Sequence, residues 1–212
     1  MFRKIIYVLV LSAFSAVNIF AQNDKNAEKL LTDVLNQVKT TAIRTNFRLS
    51  VAQKGSRTMN SAGVFTLKGK KFMLEMEETK AWFDGKTQWA YVKQNNEVSI
   101  TEPDEKELSE TNPMAVLGNY KATCKISFSK TKSATENVID LVPVANNKSG
   151  VKLVTVRINK KTGTLSSIKV TNNNGTISLL LVYNFQKGVN VDDSYFTFDK
   201  AKFKKATIND LR

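Results

Sequence analysis

The chain contains no histidine. That removes Ser–His and Cys–His nucleophile pairs and the usual zinc sites. Its one cysteine, Cys124, excludes an intramolecular disulfide, so an exported form must rely on its core and hydrogen bonds. Cys124 lies in the strand-like run Ala122-Thr123-Cys124-Lys125-Ile126 and reads as a small buried hydrophobe rather than a reactive thiol. With only three prolines, the chain shows no linker, low-complexity stretch or internal repeat. It also has no glycine-rich phosphate loop. Beyond Phe20 no apolar run is long enough to span a bilayer. Acidic residues gather only at Glu102, Asp104, Glu105, Glu107 and Glu110, around Pro103 and without an aromatic residue to hold a sugar. That cluster reads as a solvated loop rather than the carboxylate pair of a glycosidase. The expectation is a protein that is not an enzyme and uses no metal or cofactor.

What is present begins with an export signal. Arg3 and Lys4 precede an apolar stretch from Ile5 to Phe20, broken only by Ser12, Ser15 and Asn18, and small Ala21 follows. Residues 1–21 read as a secretory signal peptide cleaved near Ala21, leaving a single domain over 22–212. No cysteine follows the apolar stretch, so the mature N-terminus is not expected to be lipidated. Arg3 and Lys4 leave with the signal, which brings the net charge from +13 to +11. The densest basic run is Lys200-Ala201-Lys202-Phe203-Lys204-Lys205. An exported chain argues against nucleic acid. An anionic membrane surface, an acidic partner, or lysines that merely keep a strand-rich surface soluble remain open.

Ala27, Leu30, Leu31, Val34, Leu35 and Val38 recur at helical spacing behind a cap at Asn23 or Asp24. From Thr45 onward the alternation is that of strands, joined by short turns. Phe47, Leu49 and Val51 share one face, as do Phe72, Leu74 and Met76. Asn112-Pro113-Met114-Ala115-Val116-Leu117-Gly118 interrupts the strands and predicts one or two apolar helical turns that cover something. Strands resume at Lys125–Ser129, Val138–Val142, Lys152–Asn159 and Ser166–Thr171, and a last one is expected at Tyr195–Phe198.

Two Xaa-Gly turns predict registers. Asp84-Gly85 as a two-residue loop puts Trp82 opposite Thr87 and Lys80 opposite Trp89, with Trp82, Trp89 and Tyr91 on one face. Asn174-Gly175 in the same role pairs Val170 with Leu179 and Ile168 with Leu181, so that Ile168, Val170, Ile177, Leu179, Leu181 and Tyr183 share a face. The sum is a mainly β protein with helices (α+β). We expect an incomplete, strongly curved antiparallel β-barrel closed by a helical lid over a hydrophobic cavity.

Three segments carry a family resemblance: Gly63-Val64-Phe65-Thr66-Leu67-Lys68-Gly69-Lys70-Lys71-Phe72, then Asp84-Gly85-Lys86-Thr87-Gln88-Trp89-Ala90-Tyr91, then Asn112-Pro113-Met114. Together they resemble the periplasmic outer-membrane lipoprotein carrier family (LolA-like), over essentially the whole mature chain. The resemblance implies a periplasmic monomer that takes acylated lipoproteins from an inner-membrane lipoprotein-releasing transporter. It would shield their acyl chains, pass close to the membranes and deliver to an outer-membrane acceptor. It places Phe72, Leu74 and Met76 toward the cavity, Met114 and Leu117 in the lid, and Trp89 and Tyr91 among hairpin aromatics that serve cargo or structure; with Phe47 and Leu49 these are the candidate acyl-chain contacts. The family's lid-holding arginine–proline pair is replaced here by Lys68-Gly69, which makes Lys68 the candidate lid latch. Lysine is a point charge without arginine's planar fork. The alternative is a lipid- or glycolipid-sensing domain on the same scaffold without cargo transport.

Overall fold

The apolar stripe Ala27, Leu31, Val34 and Val38 is buried in the computed structural model, on helix α1 (Lys25–Thr40). The Asp24 side chain caps it, accepting from the amides of Asn26 (2.9 Å) and Ala27 (3.2 Å). The structure describes residues 24–104, 107–108, 113–144 and 150–212, with no side-chain placement at Thr40 or at 113–115. The expected signal peptide, the Asn112 cap, Glu105, Glu110 and the Met114 side chain therefore lie outside the described residues.

Twelve strands among the described residues form one sheet. They are β1 (Ile43–Ala52), β2 (Met59–Lys68), β3 (Lys71–Met76), β4 (Thr79–Phe83), β5 (Gln88–Val92), β6 (Glu97–Thr101), β7 (Cys124–Phe128), β8 (Glu136–Pro143), β9 (Val151–Asn159), β10 (Leu165–Asn172), β11 (Ile177–Lys187) and β12 (Thr207–Asp210). Their order is β12-β6-β5-β4-β3-β2-β1-β11-β10-β9-β8-β7, antiparallel except for the parallel pair β12–β6. The sheet is open, with β12 and β7 as its edges.

The sheet is also curved, and α1 is the ruler. The Asp24 amide donates to Ile126 O on β7 at 2.9 Å, while Val38 O accepts from the Gly69 amide in the β2–β3 turn at 2.8 Å. Fourteen residues of helix span about 21 Å. The six strand spacings from β7 to β2 would cover about 29 Å if flat. The sheet must bend around the helix to meet both ends. The Gln37 amide adds a third tie, donating from Nε2 to Gly163 O in the β9–β10 turn at 2.8 Å. Helix α2 (Pro113–Thr123) leads into β7 and packs beside α1 on the same face. It runs past Gly118, longer than the one or two turns expected.

Both predicted hairpin registers need correction. Phe83 pairs with Gln88 and Trp82 with Trp89, so the two loop residues are Gly85 and Lys86. Gly85, at φ +106°, stands at the first loop position, where a type II′ turn takes glycine. The Asp84 carboxylate accepts from the amides of Lys86 (2.9 Å) and Thr87 (2.8 Å), which makes Asp84 the closing residue rather than a loop residue. A slip of two keeps parity, so Trp82, Trp89 and Tyr91 do share a face. In the second hairpin, Asn172 N donates to Thr176 O at 2.9 Å, which leaves three loop residues ending in Gly175 at φ +82°. The odd count shifts the register by one, and a shift of one exchanges faces. Ile168 pairs with Leu180 and Val170 with Ser178. Leu180 and Val182 thus join the core face, while Leu179, Leu181 and Tyr183 lie on the other.

The expected last strand, Tyr195–Phe198, is a 3-10 turn, Asp193–Phe196, followed by a second one at Lys200–Phe203. Phe196 is fully buried there against the sheet. Ring packing, not strand pairing, holds this segment.

Gly63 in the middle of β2 is demanded by close approach. A Cβ there would sit 2.2 Å from Glu75 O and 3.0 Å from both the Phe47 ring and Met76 Cγ. Gly63→Ala is expected to destabilise the fold by about 1–3 kcal/mol through overpacking, read as a lower denaturation midpoint. An unchanged midpoint would mean that β2 and β3 can part freely at this point.

Candidate functional site

The concave face is apolar from β7 to β4 and turns polar toward β12, where Gln88, Ser99 and Thr101 follow Phe83 across the ladder. On the β7 side, Ile126, Ile139, Leu141, Val154, Val156, Ile158, Leu165 and Ile168 are buried with Ala27, Leu31 and Val34 of α1 and Leu117 of α2. On the β3 side, Val38 meets Ile43, Phe47, Phe65, Leu67, Phe72, Ala81 and Phe83. Leu180 packs against both clusters and joins them.

Burial falls along β1 and β3 away from α1. On β3, Phe72 is fully buried and Leu74 and Met76 only half-buried. On β1, Ile43 and Phe47 are buried, Leu49 and Val51 half-buried. β11 contributes half-buried Leu180 and Ser178 in the same rows. Leu108 packs on the Phe47–Phe72–Phe83 cluster. Leu108, between β6 and α2, therefore lies over the concave face. Half-covered apolar side chains on a concave wall, roofed by short elements, can accept a flexible hydrocarbon without any directed polar contact.

The expected site residues separate into two groups. Phe47, Leu49, Phe72, Leu74, Met76 and Leu117 all face the concave side. Trp89 and Tyr91 do not. They stand on the convex side with Met73 and Trp82, under the C-terminal segment. Tyr91 lies 4.7 Å from the Phe203 ring, and Trp82 meets Phe198 and Phe203 edge-on at 5.5 and 5.6 Å. The physical reason is strand parity: Phe83 opposite Phe72 points in, so Trp82 and its partner Trp89 point out. These aromatics form a convex cluster in which Met73, Trp82 and Phe196 are buried and the other rings only partly so.

Lys68 is corrected for the same reason. It shares even numbering with Phe72, but a two-residue turn lies between them and Lys68 pairs with Lys71 on the convex side. Its ammonium donates to Val191 O and to Asp193 Oδ1, both at 3.2 Å, and Lys71 reaches Asp193 Oδ2 at 2.7 Å. Lys68 fastens the C-terminal segment, not α2. A neighbouring polar chain helps: Arg44 donates to Thr66 and to the Tyr195 hydroxyl, and Tyr195 donates to Glu75 at 3.5 Å.

Hydrogen bonds from Lys71 and Lys68 hold the Asp193 carboxyl below the usual carboxylate range. A lowered native pKa stabilises the fold above the ordinary aspartate value, and that contribution is lost as pH falls through the native one. Asp193→Asn is therefore expected to shrink the drop in thermal midpoint between pH 7 and pH 3. An identical drop in the variant would show that the two lysines do not hold this carboxylate. Burial pushes the Cys124 thiol up, with the Thr123 hydroxyl opposing, which fits the inert core residue expected there.

Residues that the alternation missed are Leu180, Val182 and Leu108. The run Leu179-Leu180-Leu181-Val182 has no alternation to read, and its face is set by the odd loop before it.

The chain matches the family model described as "Outer membrane lipoprotein carrier protein LolA" over residues 17–174. No curated protein matches the sequence. Among solved structures it is similar to an uncharacterized conserved protein from Thermus thermophilus, with 10% identity, 88% of this chain and 99% of that one covered, and a TM-score of 0.59. A DUF1329 family protein from Desulfovibrio piger follows at 11% identity, covering 83% and 98%, TM-score 0.48. A LolA superfamily protein from Nitrosomonas europaea has 11% identity, covers 82% and 98%, and has a TM-score of 0.46.

Proposed function

This chain belongs to the family of the outer membrane lipoprotein carrier protein LolA, and from that membership we propose that it is a periplasmic carrier of acylated lipoproteins. Its signal peptide directs export, and the mature single domain, 22–212, works as a monomer. The cargo's acyl chains lie along the concave face, received from an inner-membrane releasing transporter and passed to an outer-membrane acceptor. No bond is made or broken in that cycle. The observation that carries the reading is the burial gradient from Phe72 to Leu74 and Met76 and from Phe47 to Leu49. An apolar wall that continues past its own cover is what an acyl chain can extend.

Within this reading Leu49, Leu74 and Met76 make first contact. Phe47, Phe72 and Leu117 reach cargo only when α1 or α2 shifts, and Met114 belongs to the moving side. Affinity comes from burial, at about 0.8 kcal/mol for each methylene removed from water. Release follows when an acceptor offers a better apolar surface or the α2 side opens.

The test joins binding to location. Purified protein is expected to bind a fluorescent fatty-acyl probe, and depletion in the cell is expected to strand lipoproteins at the inner membrane. Probe binding with unchanged lipoprotein location would favour the sensing alternative. Absence of probe binding would end the carrier reading.

A further inference from the structure

The two ends of the curved sheet differ in how far the concave wall is covered. Antiparallel connectivity gathers the β1–β2, β3–β4, β5–β6, β8–β9 and β10–β11 connections at one end. The β2–β3 and β9–β10 turns lie at the other, tied to α1. The first end is also where the concave wall loses its cover.

Four of the eight large apolar side chains that stand exposed among the described residues lie at that uncovered end, with Phe128 and Leu211 at the other. Met59, which starts β2 opposite Val51, is 67% exposed. Val92 at the end of β5 is 37% exposed, and Val142 and Val144 at the end of β8 are 47% and 55% exposed. Cations stand at both ends, with Lys70, Lys86, Lys130, Lys132, Lys160 and Lys161 exposed at the covered one. Lys54 and Arg57 stand exposed in the β1–β2 connection and Lys93 in the β5–β6 turn. Lys204 and Lys205 are held beside that turn, because Asn96 donates from Nδ2 to Lys205 O at 2.7 Å and its carbonyl accepts from the Thr207 amide at 3.0 Å. The opposing carboxylates are few. Glu78 pairs loosely with Lys93 at 3.8 Å, Asp199 pairs with Lys202 at 3.5 Å, and Glu77 is exposed in the β3–β4 turn. A groove of about 400 Å³ lies between Tyr91, Phe203 and the lysines at 202, 204 and 205. Lysines beside aromatic rings and bare apolar side chains are the composition of a surface that settles at a bilayer interface.

We infer that this end of the protein docks on an anionic phospholipid bilayer. The inference rests on the acyl-carrier reading of the concave face, since docking here sets the uncovered half of that face against the hydrocarbon. The basic residues guide the approach within a Debye length, and the apolar ones enter the interface. An acidic protein would be drawn by the same charge, but the half-covered wall at Leu49, Leu74 and Met76 opens at this end, where a bilayer's hydrocarbon can meet it.

Flotation with vesicles of phosphatidylglycerol and phosphatidylcholine, compared with phosphatidylcholine alone, tests the inference. Purified protein is expected to bind the anionic vesicles and to lose that binding in high salt. The triple variant Arg57→Glu, Lys204→Glu, Lys205→Glu is expected to weaken it about a hundredfold, from roughly fivefold per basic residue. Met59→Asp is expected to weaken it with every cation kept. The equal charge change at the opposite end, Lys130→Glu, Lys132→Glu, Lys161→Glu, is expected to leave it within about threefold. Equal losses in the two triple variants, or no preference for anionic vesicles, would overturn the inference in favour of net charge alone. Capture on poly-glutamate without binding to vesicles would overturn it in favour of an acidic protein. The acyl probe separates the two readings. Vesicle binding without probe binding removes the carrier reading alone, and probe binding without vesicle binding removes the docking face alone.

Discussion

Replacing Phe72 with alanine is expected to lower the stability of the fold by about 3–5 kcal/mol, the usual cost of removing a buried ring. Phe72 has no exposed surface and stands between Phe65, stacked at 5.5 Å, and Phe83 at 5.4 Å. Its neighbours across the ladder, Leu67 and Phe83, are themselves buried and held by strand pairing on both sides, so the site cannot collapse onto the gap. In a domain of this size each kcal/mol moves the thermal midpoint by about 2–4 °C, so a fall on the order of 10 °C is expected. Thermal unfolding followed by circular dichroism reads it. A fall under about 2 °C would mean that the ring is not part of the closed core, and that cargo can reach it without movement of α1. The prediction therefore also divides the concave residues into wall and contact surface.

That division was only partly legible beforehand. Alternation in Phe47–Val51 and Phe72–Met76 was enough to find both strands and the face they share, because each run has polar residues between its apolar ones. Burial along the strand was not legible, since it depends on where α1 lies, and α1 is placed by backbone ties to Ile126 and Gly69 and by the Gln37 side chain on Gly163 O, which no pattern announces. Parity across turns failed wherever loop length decided it. Lys68 and Phe72 are four apart yet face opposite ways, because the turn at Gly69-Lys70 sets Lys68 against Lys71. The Asn174-Gly175 hairpin failed for a related reason, one extra loop residue exchanging Leu179 for Leu180. The aromatic hairpin kept its shared face despite a wrong register. What the pattern could not supply was the side of the sheet, which is decided by the aromatic rings of the C-terminal segment, Phe196, Phe198 and Phe203, lying far away in sequence.

The two faces can be told apart by a paired substitution. Leu74→Asp is expected to weaken acyl-probe binding by at least about a hundredfold, near 3 kcal/mol. Part of this is the lost burial of a leucine side chain against the chain, worth about 1.5–3 kcal/mol when complete. The rest is the cost of placing a carboxylate against hydrocarbon without a partner. Because Leu74 is only half-buried, the empty protein can keep that carboxylate wetted and the fold intact, which far-ultraviolet dichroism checks. Tyr91→Ala is expected to do the reverse. It removes the 4.7 Å ring contact with Phe203 and the hydroxyl donated to Asn96 at 3.2 Å, and so loosens the C-terminal segment. A stability loss of about 1–2 kcal/mol follows from such a half-buried aromatic pair, with probe affinity within about twofold of the parent. The mirror result, in which Tyr91→Ala loses the probe and Leu74→Asp keeps it, would move the acyl site to the convex face. It would also return the aromatic hairpin to the role that its sequence first suggested.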